Sequence, residues 1–382
     1  MPTIPLKWKS KFYYLKGYLL NIKEVFDYEA LQSLSQAAKL DPTMNDIWLN
    51  LGEVYYKNNQ SDLADVCFKR ILDNDPNHKE ALRNRSIVLK SLKVSSDREN
   101  TSDENKQNIL ESLKFAKKAV DIDDNDCESW ATLGNAYLYN IFLDVVQNEE
   151  MISHAKNAYW RALKDDKLMT RSDLQYNYSQ ILQLEGMFNE ELIHLKLALK
   201  YQPTSNKIFE RIENLTKFLR QISSRLDDNF RIKKVQTIID KLKNDKKKIV
   251  ERFKNNSNLL NGKCKDFNDL TNGKNDCLFV ARMIEELSDP QRVFLCPVYL
   301  VLDCTGKRVI IFAYRLLPFK GPKPGDLITI IGPIVKNHQI TVDNKCEEIL
   351  KFSTIEFDLP YKCFVNNNQL STSSFSYLSF GI

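Results

Sequence analysis

Residues 47–76 read IWLNLGEVYYKNNQSDLADVCFKRILDNDP, and this stretch decides the architecture. Trp48, Leu51, Gly52 and Tyr55 follow the three- and four-residue steps of one helix face. Ala64, Phe68 and Ile71 do the same on a second helix, and Pro76 closes the unit. The small residues carry a physical requirement: Gly52 and Ala64 are expected to face each other where two helices approach too closely for a larger side chain. Trp48 and Phe68 are expected to fill the wedge at either end.

Working outward, the same signature repeats. Gly17, Ala30, Leu34, Ala37 and Pro42 keep the spacing with one extra residue, giving a first repeat over 10–43. Trp130, Leu133, Gly134 and Tyr137, then Ala155, Tyr159 and Ala162, make a fourth repeat with a nine-residue insertion at its inner turn. Residues 79–124 are a weaker third copy interrupted by the polar run VSSDRENTSDENK, and 172–203 form a fifth. Five units exceed the three or so that neighbours need to bury a continuous core, so the expected fold is an α-helical tetratricopeptide-repeat solenoid over 10–226. Ile208, Ile212, Leu215, Leu219 and Ile222 mark 205–226 as its capping helix.

The 382-residue chain is 43% hydrophobic, an ordinary globular composition. MPTIPLKWKSKFYY at its start lacks the apolar core of a secretory signal, which makes a cytoplasmic or nuclear protein the default. Eight cysteines stand singly with no C-x-x-C pair, and His78, His154, His194 and His338 lie far apart. Neither set has metal-ligand or nucleophile spacing, so free core thiols and a non-enzymatic protein without cofactor are expected.

First helices of such repeats line a groove. Asn50, Asn84 and Asn177 all fall at the sixth position of their repeats, and a primary amide can pair with both the C=O and the N–H of an extended backbone. Arg83, Lys90, Asn135, Asp173 and Glu210 complete the candidate groove residues. Basic and acidic side chains together suit a peptide that carries both charges. The alternative is a solvated face without a ligand.

Residues 227–258 form a basic helical connector. From Arg225 to Lys254 there are eleven Lys and Arg against five acids, whereas the whole chain is only +5. Such a face neutralises phosphates, so RNA or a ribosome surface is a candidate partner; a merely solvated helix face is the other reading. Beyond it the period changes to that of strands. CLFVARMIEE (277–286), VFLCPVYLVLD (293–303), KRVIIFAYRL (307–316), DLITIIGPIV (326–335) and EILKFSTIEF (348–357) predict an all-β OB-fold barrel over 259–370, with a flexible tail at 371–382. Phe312 and Tyr314 could stack bases as in other OB barrels, or belong to the core.

The segments IWLNLGEVYYKNNQSDLADVCF, NRSIVLKSL, SWATLGNAYL, SDLQYNYSQILQLEG, RIKKVQTII and FVNNNQL, in that order and fused to a barrel, resemble the Strap family of tetratricopeptide repeat proteins with a C-terminal OB fold. The resemblance implies a ribosome-associated adaptor that reads the N-terminal peptide of nascent tubulin and promotes tubulin mRNA decay, through an mRNA-decay effector. It also implies, as an alternative, a nuclear scaffold for stress-responsive transcriptional co-activators. Carried over by position, Asp173 would pair with the Arg of a Met-Arg-Glu peptide and Lys90, an Arg in the family, would face its Glu. A further acidic position of the family falls at Lys207, with Glu210 nearby. Arg231 and Lys233, with Lys234 beside them, would look toward ribosomal RNA. The family's helical N-terminal extension is largely missing.

Overall fold

The computed structural model describes residues 6–92, 101–143, 149–227, 232–254, 263–287, 296–314, 316, 321–343, 348–357 and 362–370. Paired helices make up the first part: α1 (Leu6–Asn21) with α2 (Tyr28–Leu40), α3 (Asn45–Lys57) with α4 (Ser61–Asn74), α5 (Lys79–Leu89) with α6 (Thr101–Ile122), and α7 (Cys127–Leu143) with α8 (Glu149–Ala162). A single turn, α9 (Asp166–Met169), precedes α10 (Ser172–Leu184), α11 (Phe188–Tyr201), the long α12 (Asn206–Asp227) and the basic α13 (Ile232–Lys254).

Close approach within three of these pairs is set by an aromatic or leucine side chain lying on glycine; α5 and α6 meet instead through Ser86 and Ser112. A Cβ on Gly52 would meet the Phe68 ring at 2.6 Å, one on Gly17 would meet Leu34 at 2.6 Å, and one on Gly134 would meet Tyr159 at 3.0 Å. The partner stands one residue further on in the first repeat and nine further in the fourth, as the inserted residues require. The contact is therefore glycine against Phe68, not Gly52 against Ala64 as the spacing suggested; Ala64 is buried elsewhere in the same interface. Trp48 packs between the cores of the first and second repeats and has a further role. Its indole N–H donates to the Pro42 carbonyl (2.9 Å) and Arg70 lies over its ring, so it pins the preceding turn. Trp130 repeats this with the Asp124 carbonyl (2.7 Å) and Arg161.

Contacts divide the chain into two compact units, Met1–Leu143 with Asn148–Met169, and Asp144–Gln147 with Thr170–Ile382. The last repeat pair and the capping helix thus share their compact unit with the barrel.

The barrel is built on β3 (Leu278–Leu287), β4 (Val298–Asp303), β5 (Arg308–Phe312), β6 (Leu327–Ile331), β7 (Ile334–Asp343) and β8 (Glu348–Glu356). β3 pairs antiparallel with β4 and β6, β4 with β5, and β7 with β8, while β5 and β8 run parallel. The predicted strand 326–335 is in fact two. The chain bends at Gly332, whose φ of +64° suits glycine, so that β6 closes the barrel on β3 and β7 on β8. Strand β7 escapes sequence reading because its middle, KNHQ, is polar. Short strands β1 (Cys264–Lys265), β2 (Gly273–Lys274), β9 (Cys363–Val365) and β10 (Asn368–Gln369) trim the edges. Phe279, Met283, Tyr299, Val301, Ile311 and Ile330 fill the interior.

Both outer faces of this barrel are covered. Phe188, Leu192, Leu215, Leu219 and Ile222 of α11 and α12 form one core with Val298, Leu300, Ile310 and Phe312. On another side, Leu242, Ile249 and Phe253 of α13 pack on Leu278, Val280 and Leu327.

Candidate functional site

In the first compact unit the polar row of the first helices converges on a carboxylate that the spacing did not single out. Glu53, one turn beyond Asn50 on α3, accepts from the amide of Asn84 (3.2 Å) and from that of Asn21 (3.1 Å). Lys57, a further turn along, donates to the Asn21 carbonyl oxygen, its side-chain oxygen (2.8 Å) and the Lys23 carbonyl (2.7 Å). Burial raises the Glu53 pKa, partly offset by Asn84, Lys57 and Asn21. The signal was present in the sequence as Asn50, Glu53 and Lys57, three polar groups at helical spacing on one face.

This network corrects the stacked-amide grip. Asn50 is buried; its amide donates to the Asp46 carbonyl one turn back (2.9 Å) and its side-chain oxygen faces the Asn21 amide at 3.4 Å. The Asn84 amide is held by Glu53. Arg83 is likewise occupied, with its guanidinium 2.6 Å from Asp126, a carboxylate that Lys79 also approaches at 3.6 Å. Asn135 accepts from the Tyr159 hydroxyl (2.8 Å). These side chains join neighbouring helices, because a buried polar group left unpaired costs about 1–3 kcal/mol.

Lys90 is different. It caps the C-terminus of α5, lies half-buried with its ammonium 5.0 Å from the centre of the Tyr139 ring, and has no ion pair among the described residues. Burial pulls its pKa down to about 8. A cation kept partly dehydrated against an exposed aromatic is ready to take an anionic side chain.

In the second compact unit, Asp173 lies exposed on α10 and is gripped by Arg171 through two contacts, Nε to Oδ1 at 3.2 Å and Nη2 to Oδ2 at 2.7 Å. Asn177 is half-buried on the same helix, Glu210 is exposed on α12, and the Lys207 ammonium sits over Tyr176 at 5.1 Å. Phe312 is fully buried against Phe188, with ring centres 5.4 Å apart, and Tyr314 stacks on Phe312 at 6.0 Å. The aromatics that could have stacked bases are therefore core, and helices α11 and α12 occupy that face of the barrel.

Arg231 and the side chains of Lys233 and Lys234 lie outside the described residues, as does the tail 371–382. The rest of α13 shows how its charge divides. Lys246 pairs with Asp266 (2.7 Å) and Asp245 with Arg282 (2.6 Å), while Lys241, Lys243, Lys247 and Lys248 are exposed. A cleft of about 820 Å³ beside it is lined by Lys243, Lys246 and Lys247 but also by Asp240, Glu251 and Asp266, which lowers its pull on anions. Cys67, Cys277, Cys296, Cys304 and Cys363 are buried free thiols. No group of three potential metal ligands occurs among the described residues, and none of their helices is long and apolar enough to cross a membrane.

Comparison with known proteins agrees with both architectures. The model of the Tetratricopeptide repeat protein 5 OB fold domain matches residues 261–379, and a tetratricopeptide repeat model matches 29–84. The chain is 28% identical to tetratricopeptide repeat protein 5 of Mus musculus over 370 residues, which is 94% of this chain and 81% of that protein. The Homo sapiens protein of the same name is 27% identical over 373 residues, 96% of this chain and 82% of its own. Among solved structures, a thermophilic TPR protein of Thermus thermophilus aligns with 54% of this chain and 98% of its own at 14% identity and a TM-score of 0.42. The chain is thus a tetratricopeptide-repeat array followed by an OB-fold barrel, similar along most of its length to tetratricopeptide repeat protein 5.

Proposed function

We propose that this protein is a non-catalytic adaptor whose repeats hold an unfolded polypeptide end carrying an acidic side chain opposite Lys90. The observation that carries the reading is that lysine: a partly dehydrated ammonium on the first helix of a repeat, beside an exposed tyrosine and without a carboxylate of its own among the described residues. Its neighbours Asn84 and Glu53 are already bonded to each other and fix the wall beside it. The finer reading is that the peptide is the N-terminus of nascent tubulin on the ribosome, with decay of its mRNA as the outcome. It rests on the Strap-family resemblance, which the similarity to tetratricopeptide repeat protein 5 supports in breadth. Arg231, Lys233 and Lys234 are the proposed ribosome contact.

The test has two levels. Affinity for a peptide beginning Met-Arg-Glu is measured by fluorescence anisotropy from about pH 7 to about pH 9. Lys90 must be protonated to hold the Glu, and its charge is lost as pH rises through about 8. Affinity should therefore fall about tenfold over that range, and Lys90→Arg, which stays charged, should not show the fall. A flat profile in the wild type refutes the groove. At the second level, ribosomes translating tubulin are recovered with wild type and with Lys90→Glu. Equal recovery removes the tubulin reading while leaving peptide binding intact.

A further inference from the structure

Helix α1 presents Trp8, Phe12, Leu15 and Leu19 along one line, continued by Ile22 one residue past its end, at steps of four, three, four and three. They are 63%, 58%, 55%, 64% and 65% exposed. The opposite face of the same helix is already used, since Tyr13, Tyr14 and Leu20 pack on the core of α2 and α3 and Ser10 donates to the Ala37 carbonyl (3.3 Å). An isolated exposed leucine needs no explanation, but five large apolar residues in one helical line mark an interaction surface.

The rims of this line are basic. Lys9 and Lys11 flank its first two residues, Lys16 and Lys23 recur at heptad distance from Lys9, and α1 contains no acid. Lys16 is held by Glu29 of α2 (2.7 Å), and Lys9, Lys11 and Lys23 are exposed. A narrow apolar seam at alternating three- and four-residue steps is the geometry that accepts one more helix, with flanking charges choosing the partner. A second copy of α1 would set lysine against lysine. Lysine flanks beside Trp8 and Phe12 also suit an anionic membrane surface, but the alternating three- and four-residue seam is the pattern of helix–helix packing, and vesicle capture is the outcome that separates the two.

We infer that the outer face of α1 is a docking seam for an amphipathic helix with acidic rims, supplied by a protein partner. This surface is separate from the Lys90 region and independent of what that region binds. The partner's apolar residues would interleave with Phe12, Leu15 and Leu19, and its carboxylates would reach Lys9, Lys11 and Lys23.

The full chain is titrated with a fluorescein-labelled peptide of about three heptads carrying Leu at the seam positions and Glu at the rims, which its own charge keeps monomeric. A matched peptide with Lys rims is the control. The Glu peptide should bind at least about tenfold tighter than the Lys peptide. Leu15→Ser combined with Leu19→Ser should weaken it at least about tenfold with circular dichroism unchanged, since both residues are exposed. Lys9→Glu, Lys11→Glu and Lys23→Glu together should invert the preference. Equal binding of the two peptides, or binding untouched by the serine pair, overturns the inference. So does a concentration-dependent dimer that the serine pair abolishes, which would make the occupant a second copy. Capture on phosphatidylserine vesicles with neither peptide bound overturns it in favour of a membrane surface.

Discussion

Two helices of this protein carry the same apolar pattern and meet different fates. On α1 the line is Trp8, Phe12, Leu15, Leu19 and Ile22; on α12 it is Ile208, Ile212, Leu215, Leu219 and Ile222, with identical steps. Leu15 and Leu19 are more than half exposed, whereas Leu215 and Leu219 are completely buried against α11 and the strands β5 and β8. A hydrophobic line at helical spacing says that a face needs cover, and nothing in the spacing says what supplies it. Rim chemistry separates the two. The exposed sides of α12 carry both charges, in Lys207, Glu210, Glu213, Lys217 and Arg220, on a helix whose apolar line is covered within its own compact unit. Those of α1 are lysine alone.

The largest expected difference lies in a matched pair of truncations. Leu219→Ala removes a fully buried side chain from the shared core of α12 and the barrel and should cost about 2–5 kcal/mol in urea denaturation. Leu19→Ala, at the equivalent step of α1, should change stability by less than about 0.5 kcal/mol. If the two cost the same, the α1 face is covered in solution and the contrast disappears.

A second difference is electrostatic. The covered face encloses Glu191 on α11, fully buried and bonded to Arg211 at 2.9 Å, with its other oxygen unpaired. Burial pushes its pKa up to about 7, against the pull of Arg211. The folded state therefore keeps a proton that the unfolded chain has lost above the usual carboxylate range. Its stabilising contribution is present at low pH and is lost as pH rises through about 7. Stability should decline from about pH 5 to about pH 8 by as much as about 3 kcal/mol, and Glu191→Gln should flatten that slope. Identical pH profiles for wild type and variant would show that Glu191 is solvated.

What the sequence revealed and what it hid follow the same division. The repeat glycines and most of the strand runs are local patterns with strong steric or periodic signatures, and the structure places them where the spacing did, the divided run 326–335 excepted. Glycine against Phe68 in place of Ala64 is a small error of that local kind. The polar residues were harder. Asn50, Asn84 and Arg83 have the chemistry to bind a peptide, yet Asp46, Glu53 and Asp126 engage them first, and those pairings depend on how helices distant in sequence stack. Phe312 stayed open between two readings for a similar reason: a strand aromatic is a ligand platform or a core residue according to whether a helix side chain lies over it, and Phe188 does, which makes it core. Lys90 has no ion pair among the described residues, and the proposed peptide contact rests on it.

The smallest effect concerns the ion pairs that tie each helix to its neighbour. Arg220 of α12 reaches Glu348 of β8 through Nε and Nη2, two donors on one edge of its guanidinium, at 3.0 Å and 2.6 Å, while Lys16 of α1 meets Glu29 of α2 through one ammonium at 2.7 Å. Both pairs are substantially exposed, so solvent screens them and each is worth under about 1 kcal/mol. Geometry still orders them, because a planar guanidinium meets a carboxylate in two places and loses less side-chain freedom per bond than a lysine does. Double-mutant cycles by urea denaturation should give a measurable coupling for Arg220→Ala with Glu348→Ala, and a smaller one for Lys16→Ala with Glu29→Ala. Both couplings should shrink between about 0.05 and about 0.5 M salt. A coupling at Lys16 as large as that at Arg220 would mean that α1 is held by more than its own repeat, and would point again to a partner resting on its open face.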